Sequence, residues 1–280
     1  MKYKIEKNTV QETLIIPLYA RKVCSELYPN LYQDETAVRL INEIDYDFSD
    51  ADKNARSLMQ RFGSLEVAMR QNDLAWEVRD YLKTHPNAAV VNLGCGLDST
   101  GRSCDNGTCK IYNLDFPDVI AVRNELLPAG EREENIPCDL KAPAWFDRID
   151  ATGGAVFFAS GVFYYFLTEQ VRELVQGIAD AFPGGVLVFD AANRTAVKMI
   201  AKTWLRTAKI KDVGAYFAVS DAKSELSPWD NRLQVSSRGY MLGYNDLKDP
   251  SVSGFFRFLA RIGDNRMKMQ IVRIGFGGRA

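Results

Sequence analysis

Residues 90–119 read VVNLGCGLDSTGRSCDNGTCKIYNLDFPDV, and the order of residue types in this stretch decides the fold. A short apolar run, AAVVNLG (88–94), enters a tight Gly94-Cys95-Gly96 bend, and a second run, KIYNLD (110–115), ends on Asp115. Glycines at such a bend let the backbone pass close beneath a ligand, where any Cβ would collide. A carboxylate at the tip of the next strand, about twenty residues on, can accept hydrogen bonds from both hydroxyls of a ribose. A glycine pair alone is common in loops. A glycine pair after one strand, with an acid ending the next, describes an adenosine site.

Further apolar runs follow outward from this stretch: NIPCD (135–139), GAVFFAS (154–160) and GVLVFDA (185–191). Helical patterns at Asp118–Leu127, Thr168–Phe182 and Arg194–Ala208 alternate with them. Apolar strands separated by helices imply βαβ units and a parallel sheet covered on both faces. Segments 213–220, 233–242 and 267–275 also read as strands, with a helix near Val252–Ile262, and predict a closing antiparallel pair at one sheet edge. Upstream, residues from about 7 to 83 are helical in pattern, with Leu65, Ala68, Met69, Trp76, Val78 and Leu82 at helical spacing. No repeat, low-complexity tract or linker divides the chain, so the expectation is one domain over 1–280. It comprises an N-terminal helical segment (1–85) and a doubly wound, Rossmann-like core (86–280).

With 35 Lys plus Arg against 36 Asp plus Glu, the chain carries no broad field for nucleic acid or an anionic membrane. Hydrophobic residues at 46% and charged residues at 25% are ordinary for a globular protein of 280 residues. The first residues, MKYKIEKNTVQETLIIPLYARK, are charged at once and do not read as a signal peptide, and no apolar stretch reaches membrane-spanning length. The five scattered cysteines therefore read as reduced thiols of a cytoplasmic protein. Cys104 and Cys109 have no second pair or nearby histidine, so zinc is not expected.

The dinucleotide fingerprint requires a third glycine three residues beyond the second, and this chain has Ser99 there. A nicotinamide-dependent oxidoreductase remains the alternative enzyme class, but the position suits an adenosine cofactor without a pyrophosphate. Asp139, after the third strand, reads either as an acceptor for the adenine amino group or as a helix cap before Pro143.

The run VVNLGCGLD…NLDFPDV, with ARSLMQRFGSLEVAMRQNDLAWEVRDYL before it and ASGVFYYF after it, resembles the leucine carboxyl methyltransferase superfamily. ETLIIPLYARK, LYQDETAVRLINEIDYDF and FPGGVLVFDAAN are similar to its bacterial branch of tetracenomycin-type polyketide-synthesis O-methyltransferases. The resemblance implies a class I S-adenosylmethionine-dependent methyltransferase, with a mostly parallel seven-stranded sheet and the N-terminal helices as a lid. It further implies an O-methyltransferase acting on a small hydroxyl or carboxyl acceptor. Carried over by position, Gly94 and Gly96 underlie the methionine part of the cofactor and Asp115 holds the ribose, with Cys95, Phe116 and Ser160 also among the cofactor-binding residues. Asp139 and Leu140 contact the adenine, and Arg70 pairs with the cofactor carboxylate, a natural use of a bidentate guanidinium. Arg21 or Lys22 in PLYARK adds a second cation. Two departures stand out. Ser160 replaces a glutamate that lies near the cofactor in the family, and Ser103 replaces an arginine, with Arg102 adjacent. A homologue that binds the cofactor without catalysis is a third reading, supported by Ser160 alone.

Methyl transfer from a sulfonium needs alignment and exclusion of water. A phenol or enol acceptor also needs a base, and a carboxylate does not. Tyr164 and Tyr165 follow the fourth strand at the carboxyl edge and are candidates for the acceptor pocket, as is Asn193 after the fifth. Phe163 and Phe166 read as core. His85, the single histidine, precedes the first strand at the opposite edge and is not expected in the chemistry.

Overall fold

A computed structural model describes residues 2–5, 10–55, 57–200 and 216–277. The chain begins with a short strand, β1 (Tyr3–Lys4), and two helices, α1 (Val10–Leu27) and α2 (Glu35–Glu43). Next come a second short strand, β2 (Ile44–Asp45), and helices α3 (Ser49–Ala55) and α4 (Leu58–Thr84). β1 pairs in parallel with β2, a detail the helical pattern hides. Side chains start the helices: Asp34 accepts the Ala37 N–H at 2.8 Å and Ser57 the Gln60 N–H at 3.2 Å.

From residue 89 the chain alternates as the apolar runs predict. β3 (Ala89–Leu93), α5 (Thr100–Ser103), β4 (Lys110–Asp115), α6 (Pro117–Leu126), β5 (Glu133–Pro137), β6 (Ala155–Ala159), α7 (Thr168–Ala181), β7 (Val186–Ala191) and α8 (Arg194–Ile200) follow in turn. After α9 (Ala222–Leu226) come β8 (Leu233–Gly239), α10 (Gly254–Arg266) and β9 (Gln270–Phe276). The seven-stranded sheet has the order β5-β4-β3-β6-β7-β9-β8. β5, β4, β3, β6 and β7 run parallel, and β9 is antiparallel to both β7 and β8.

Strand alternation buries both faces. Ala89, Val91, Leu93 and Phe157 pack with Trp145 and the inner face of α7, while Val90, Val156, Phe158 and Val188 pack with Leu65, Ala68, Leu74 and Val78 of α4. α1 and α2 form a third cluster with Val119, Val122 and Leu126 of α6 and with Leu97, which carries α1 over the carboxyl edge of the sheet. β3 lies between β4 and β6, so the chain reverses direction across the sheet at that point. The crevice outside the carboxyl ends of these strands is where open α/β sheets bind ligands.

One expectation changes. Residues 216–220 form no strand, and 213–215 lie outside the described residues, as does the part of the predicted helix beyond Ile200. Phe217 and Val219 are buried, yet the free side of β7 is already paired with β9. Their segment anchors instead through single contacts, Tyr216 N–H to Tyr164 O at 2.7 Å and Val219 N–H to Ala192 O at 2.9 Å.

Candidate active site

The bend after β3 is held from below. Gly94 and Cys95 both donate N–H groups to Leu114 O, at 2.8 and 2.9 Å. Gly94 has φ +68° and Gly96 φ +46°, both left-handed. A Cβ on Gly94 would lie 2.6 Å from Val162 Cγ2, and one on Gly96 would lie 3.1 Å from Leu14 Cδ2. The glycines thus serve the protein's own packing as well as approach by a ligand. Beneath them Arg123 of α6, fully buried, donates to Gly96 O at 2.9 Å and Asp98 O at 2.7 Å.

Asp98 is the hub of the bend. Its carboxylate accepts from Arg21 (3.1 Å), Gln71 (3.2 Å), Asn92 (3.0 Å) and Thr100 Oγ1 (2.7 Å). Arg21 also pairs with Asp34 at 3.1 Å. Predicted as a second cation for a ligand, Arg21 is buried between two carboxylates and ties α1 to the bend.

Asp115 closes the neighbouring strand as predicted. Its oxygens accept the Gly96 N–H at 2.7 Å and the Phe116 N–H at 2.8 Å. Burial raises its carboxyl above the ordinary range, against the pull of those two N–H groups. Each oxygen keeps a lone pair for a further donor.

These groups open onto a cavity of about 410 Å³ at the carboxyl edge, roofed by Leu14, Ile16 and Pro17 of α1 and walled by Arg70 of α4. Of the predicted cofactor residues, Arg70, Gly94, Cys95, Gly96, Asp115, Phe116, Leu140 and Ser160 all line it. Tyr164 and Tyr165 line it too, as does Phe166, while Phe163 is buried against Phe189. Arg70 is anchored to Asp190 at the end of β7 by a 3.1 Å ion pair. Burial opposes the charge of Arg70, and Asp190 outweighs it, holding the guanidinium above its ordinary pKa. Asp190 also accepts the Gly161 N–H at 2.6 Å. Two buried polar atoms on this wall, Arg70 Nε and Ser160 Oγ, have no hydrogen-bond partner.

Several candidates lie elsewhere. Asp139 is outside the cavity wall, although its neighbours Cys138 and Leu140 are in it; its carboxylate accepts the Lys141 N–H at 3.0 Å and pairs with the Lys141 ammonium at 3.5 Å. The carboxylate thus closes a local turn and does not cap the helix that starts at Pro143, whose N-cap is Ala142 with no side-chain hydrogen bond. Asn193 caps α8, accepting the Ala196 N–H at 3.0 Å and donating to Arg266 O at 2.8 Å. Arg102 turns outward to Glu133 and Pro128 O, so it does not bring a cation to the cavity in place of the family arginine. His85 stacks on Tyr81 at 4.3 Å and lines a different cavity, of about 370 Å³, at the amino edge.

Three cavity-lining groups, Glu66, Asp98 and Tyr240, and Asp190 behind Arg70 and Gly161, carry no role predicted from the sequence. Asp190 alone carried a usable signal, since FDAA ends a strand on an acid as NLDF does. Tyr240 reaches the site through tertiary contacts that no local spacing reveals, whereas Asp98 and Glu66 neighbour Gly96 and Arg70 in the chain.

A family model described as leucine carboxyl methyltransferase matches residues 16–179. The tetracenomycin polyketide synthesis O-methyltransferase TcmP of Streptomyces glaucescens is 31% identical over 186 residues, covering 65% of this chain and 66% of that protein. The chain thus spans just under two thirds of the length of TcmP. The S-adenosyl-L-methionine-dependent methyltransferase dpfgK of Gibberella zeae is 26% identical over 258 residues, 86% of this chain and 85% of that one. Among solved structures, a candidate methyltransferase of Thermobifida fusca superposes with a TM-score of 0.56 at 17% identity, covering 92% of this chain and 94% of that chain.

Proposed function

Because the chain belongs to the leucine carboxyl methyltransferase family, has the class I methyltransferase fold and takes S-adenosylmethionine as its cofactor, we propose that it methylates an oxygen of a small, polyketide-like acceptor in this cavity. The observation that carries the placement is the single cavity joining the Gly94–Gly96 bend, the Asp115 carboxylate and the unsatisfied Arg70 Nε and Ser160 Oγ. Such buried orphans need a partner, because an unpaired buried polar group costs about 1–3 kcal/mol.

The residues present fit the cofactor. Asp115 offers acceptor lone pairs to the ribose hydroxyls, and the bend presents backbone without Cβ atoms. Cys138, Leu140 and Phe116 give an apolar slot for the adenine, with Asp139 held at the turn beside it. Arg70 has Nε unpartnered for the cofactor carboxylate while Asp190 fixes its position. S-adenosylmethionine supplies there an electrophilic methyl group on a sulfonium that leaves as a neutral thioether. Helices α1 and α4 form the lid that excludes water, and Tyr164 and Tyr165 flank the acceptor end. Burial holds the Tyr164 hydroxyl well above its ordinary pKa, so it stays protonated as a hydrogen-bond donor.

The nicotinamide alternative lapses with the family assignment, and α5, only Thr100–Ser103, offers little helix N-terminus to a pyrophosphate. Oxygen is the favoured acceptor atom because TcmP is an O-methyltransferase. Cofactor-stripped protein is expected to bind S-adenosylhomocysteine in calorimetry and to transfer a tritiated methyl group to aromatic phenols or carboxylic acids. Binding without transfer to any member of a broad panel would favour the non-catalytic homologue. Absence of binding at millimolar ligand would overturn the assignment of the cavity.

A further inference from the structure

We propose that Tyr240 binds the methyl acceptor: its hydroxyl donates a hydrogen bond to the acceptor's oxygen and fixes which oxygen faces the methyl group. This rests on the O-methyltransferase reading above and adds to it a residue that sets the position and selectivity of the acceptor.

Strand order gives the cavity two ends. The groups that fit the nucleoside and the methionine backbone stand at the bend after β3 and toward β4 and β5: Gly94, Gly96, Asp115, Phe116 and Leu140. Tyr240 follows β8 and Met269 precedes β9, and both line the same cavity with β6 and β7 standing between them and the bend. Gln270 pairs with Ala191 on one side and Gly239 on the other, which sets Tyr240 and Met269 at the carboxyl edge, level with the cofactor groups. With the bend end filled by the cofactor, the β8–β9 end is the wall left for an acceptor. The cofactor groups also fall within residues 16–179, the span matched to the family, whereas Tyr240 and Met269 lie beyond it. Part of the acceptor wall is thus built outside the shared span, by connections whose sequence is free to vary with the ligand.

Tyr240 is the buried hydroxyl that this end offers. The residue is 5% exposed, and among the described residues no hydrogen bond engages its hydroxyl. The two other tyrosines of the wall differ. The Tyr164 hydroxyl is taken by Asp190, and Tyr165 is 44% exposed. A buried donor without a protein partner is unfavourable until a ligand supplies an acceptor.

The backbone that carries Tyr240 is fixed on both sides. Its own N–H donates to Met269 O at 3.3 Å, and the Gly243 N–H donates to Gly239 O at 2.8 Å. From α10, the Asp264 carboxylate accepts the Met241 and Leu242 N–H groups at 3.1 and 2.9 Å. The ring packs in the same core cluster as Leu65, Met69 and Ile271. A donor held this firmly restricts the acceptor to few orientations, which is most of what an in-line displacement requires.

Burial first, then the Glu66 carboxylate, hold the Tyr240 hydroxyl well above its ordinary pKa against the pull of Arg70, so it remains a donor. A hydroxyl or carboxylate oxygen has more than one lone pair, so one faces the methyl group while another accepts from Tyr240. The role therefore holds for hydroxyl and carboxyl acceptors alike.

The test compares wild type with Tyr240→Phe, which removes one oxygen and keeps the ring. The probes are S-adenosylmethionine carrying a tritiated methyl group and anthraquinones bearing hydroxyl and carboxyl groups at several positions, so that the products also report which oxygen was methylated. The expected result is a fall of about tenfold or more in kcat/KM for the acceptor, with a single wild-type product giving way to a mixture. S-adenosylhomocysteine affinity, read by calorimetry, should be unchanged. Unchanged kcat/KM and product ratio would overturn the proposal and leave the O-methyltransferase reading standing. A tenfold loss of S-adenosylhomocysteine affinity would also overturn it, because Tyr240 would then be holding the cofactor. Failure of wild type on every acceptor despite cofactor binding would sink the parent reading and this one together. If Tyr240→Phe does not fold, wild type decides: with S-adenosylhomocysteine bound, an acceptor lacking the methylated oxygen should bind about tenfold more weakly than the complete one. Equal binding of the two would overturn the proposal.

Discussion

Replacing Gly94 with alanine separates two reasons for a glycine at the bend. The first is conformational: at φ +68° a non-glycine residue costs about 1–2 kcal/mol. The second is packing, since the new Cβ would meet Val162 Cγ2 at 2.6 Å and Cγ1 at 3.0 Å. Overpacking of that kind costs about 1–3 kcal/mol. Together these amount to about 2–5 kcal/mol, a fall in melting temperature on the order of 10 °C for a protein of this size. Val162→Ala removes both methyls and leaves Val162 Cβ at 3.4 Å, an ordinary contact. The double variant should therefore recover the packing share, about 1–3 kcal/mol, as a coupling energy, and keep the conformational share. Urea unfolding of the four proteins, with S-adenosylhomocysteine calorimetry on each, measures both quantities. If Gly94→Ala keeps its stability but loses ligand affinity, and Val162→Ala rescues nothing, then the glycine serves only the ligand and the reasoning fails.

Other substitutions probe the remaining supports. Asp190→Ala removes the partner of Arg70 from a pair whose side chains are 15% and 2% exposed, and should cost about 3–5 kcal/mol in urea unfolding; a loss below about 1 kcal/mol would mean Arg70 does not depend on it. Asp115→Asn should weaken S-adenosylhomocysteine binding about tenfold or more in calorimetry, because a hydrogen bond to a charged group contributes about 1.5–3 kcal/mol; unchanged affinity would separate Asp115 from the ribose. Asp73 on α4 is buried with Oδ2 unpartnered, and burial, then Asp264 and Glu77, raise its carboxyl to about 9 from an unfolded value near 3.8. Between those values the folded chain binds a proton the unfolded chain lacks, so stability falls as pH climbs from about 4 to about 9. Asp73→Asn should flatten that slope in melting curves recorded across the window, and parallel curves for the two proteins would refute the burial argument.

The parts of this molecule legible in its sequence are those whose cause is local. Val90, Val91 and Leu93 declare a buried strand wherever they occur, and Gly94 and Asp115 sit at strand ends that the hydrophobic rhythm marks. Asp98, Arg123 and Glu66 are opaque for the opposite reason. Arg123 looks like an exposed helix residue until α6 packs beneath the bend, where its guanidinium meets Gly96 O and Asp98 O from 27 and 25 residues away. Asp139 shows what spacing leaves open: its position after β5 suits an adenine contact, and only the structure shows its carboxylate held in a local turn by Lys141, two residues on. Residues 216–220 do not join the sheet beside β7, where β9 already pairs, so strand propensity there finds no partner at that position.

Ser160 is the one departure from the family pattern that invites doubt about catalysis, and the geometry around it answers the electrostatic part of that doubt. A glutamate at the end of β6 would place a carboxylate beside Arg70, where this chain already has one: Asp190 reaches across from β7 to the same guanidinium and to the Gly161 N–H next in sequence. The charge of the arginine is thus balanced from the neighbouring strand. A second acid at 160 would add an uncompensated buried anion, whereas serine adds only a hydroxyl that waits for a partner. Because Asp190 engages only Nη1 of a group with five donors, Nε remains for a ligand carboxylate. One arginine thus fastens α4 to the sheet with Nε left over, and Asp190 supplies it with a carboxylate partner although residue 160 is a serine.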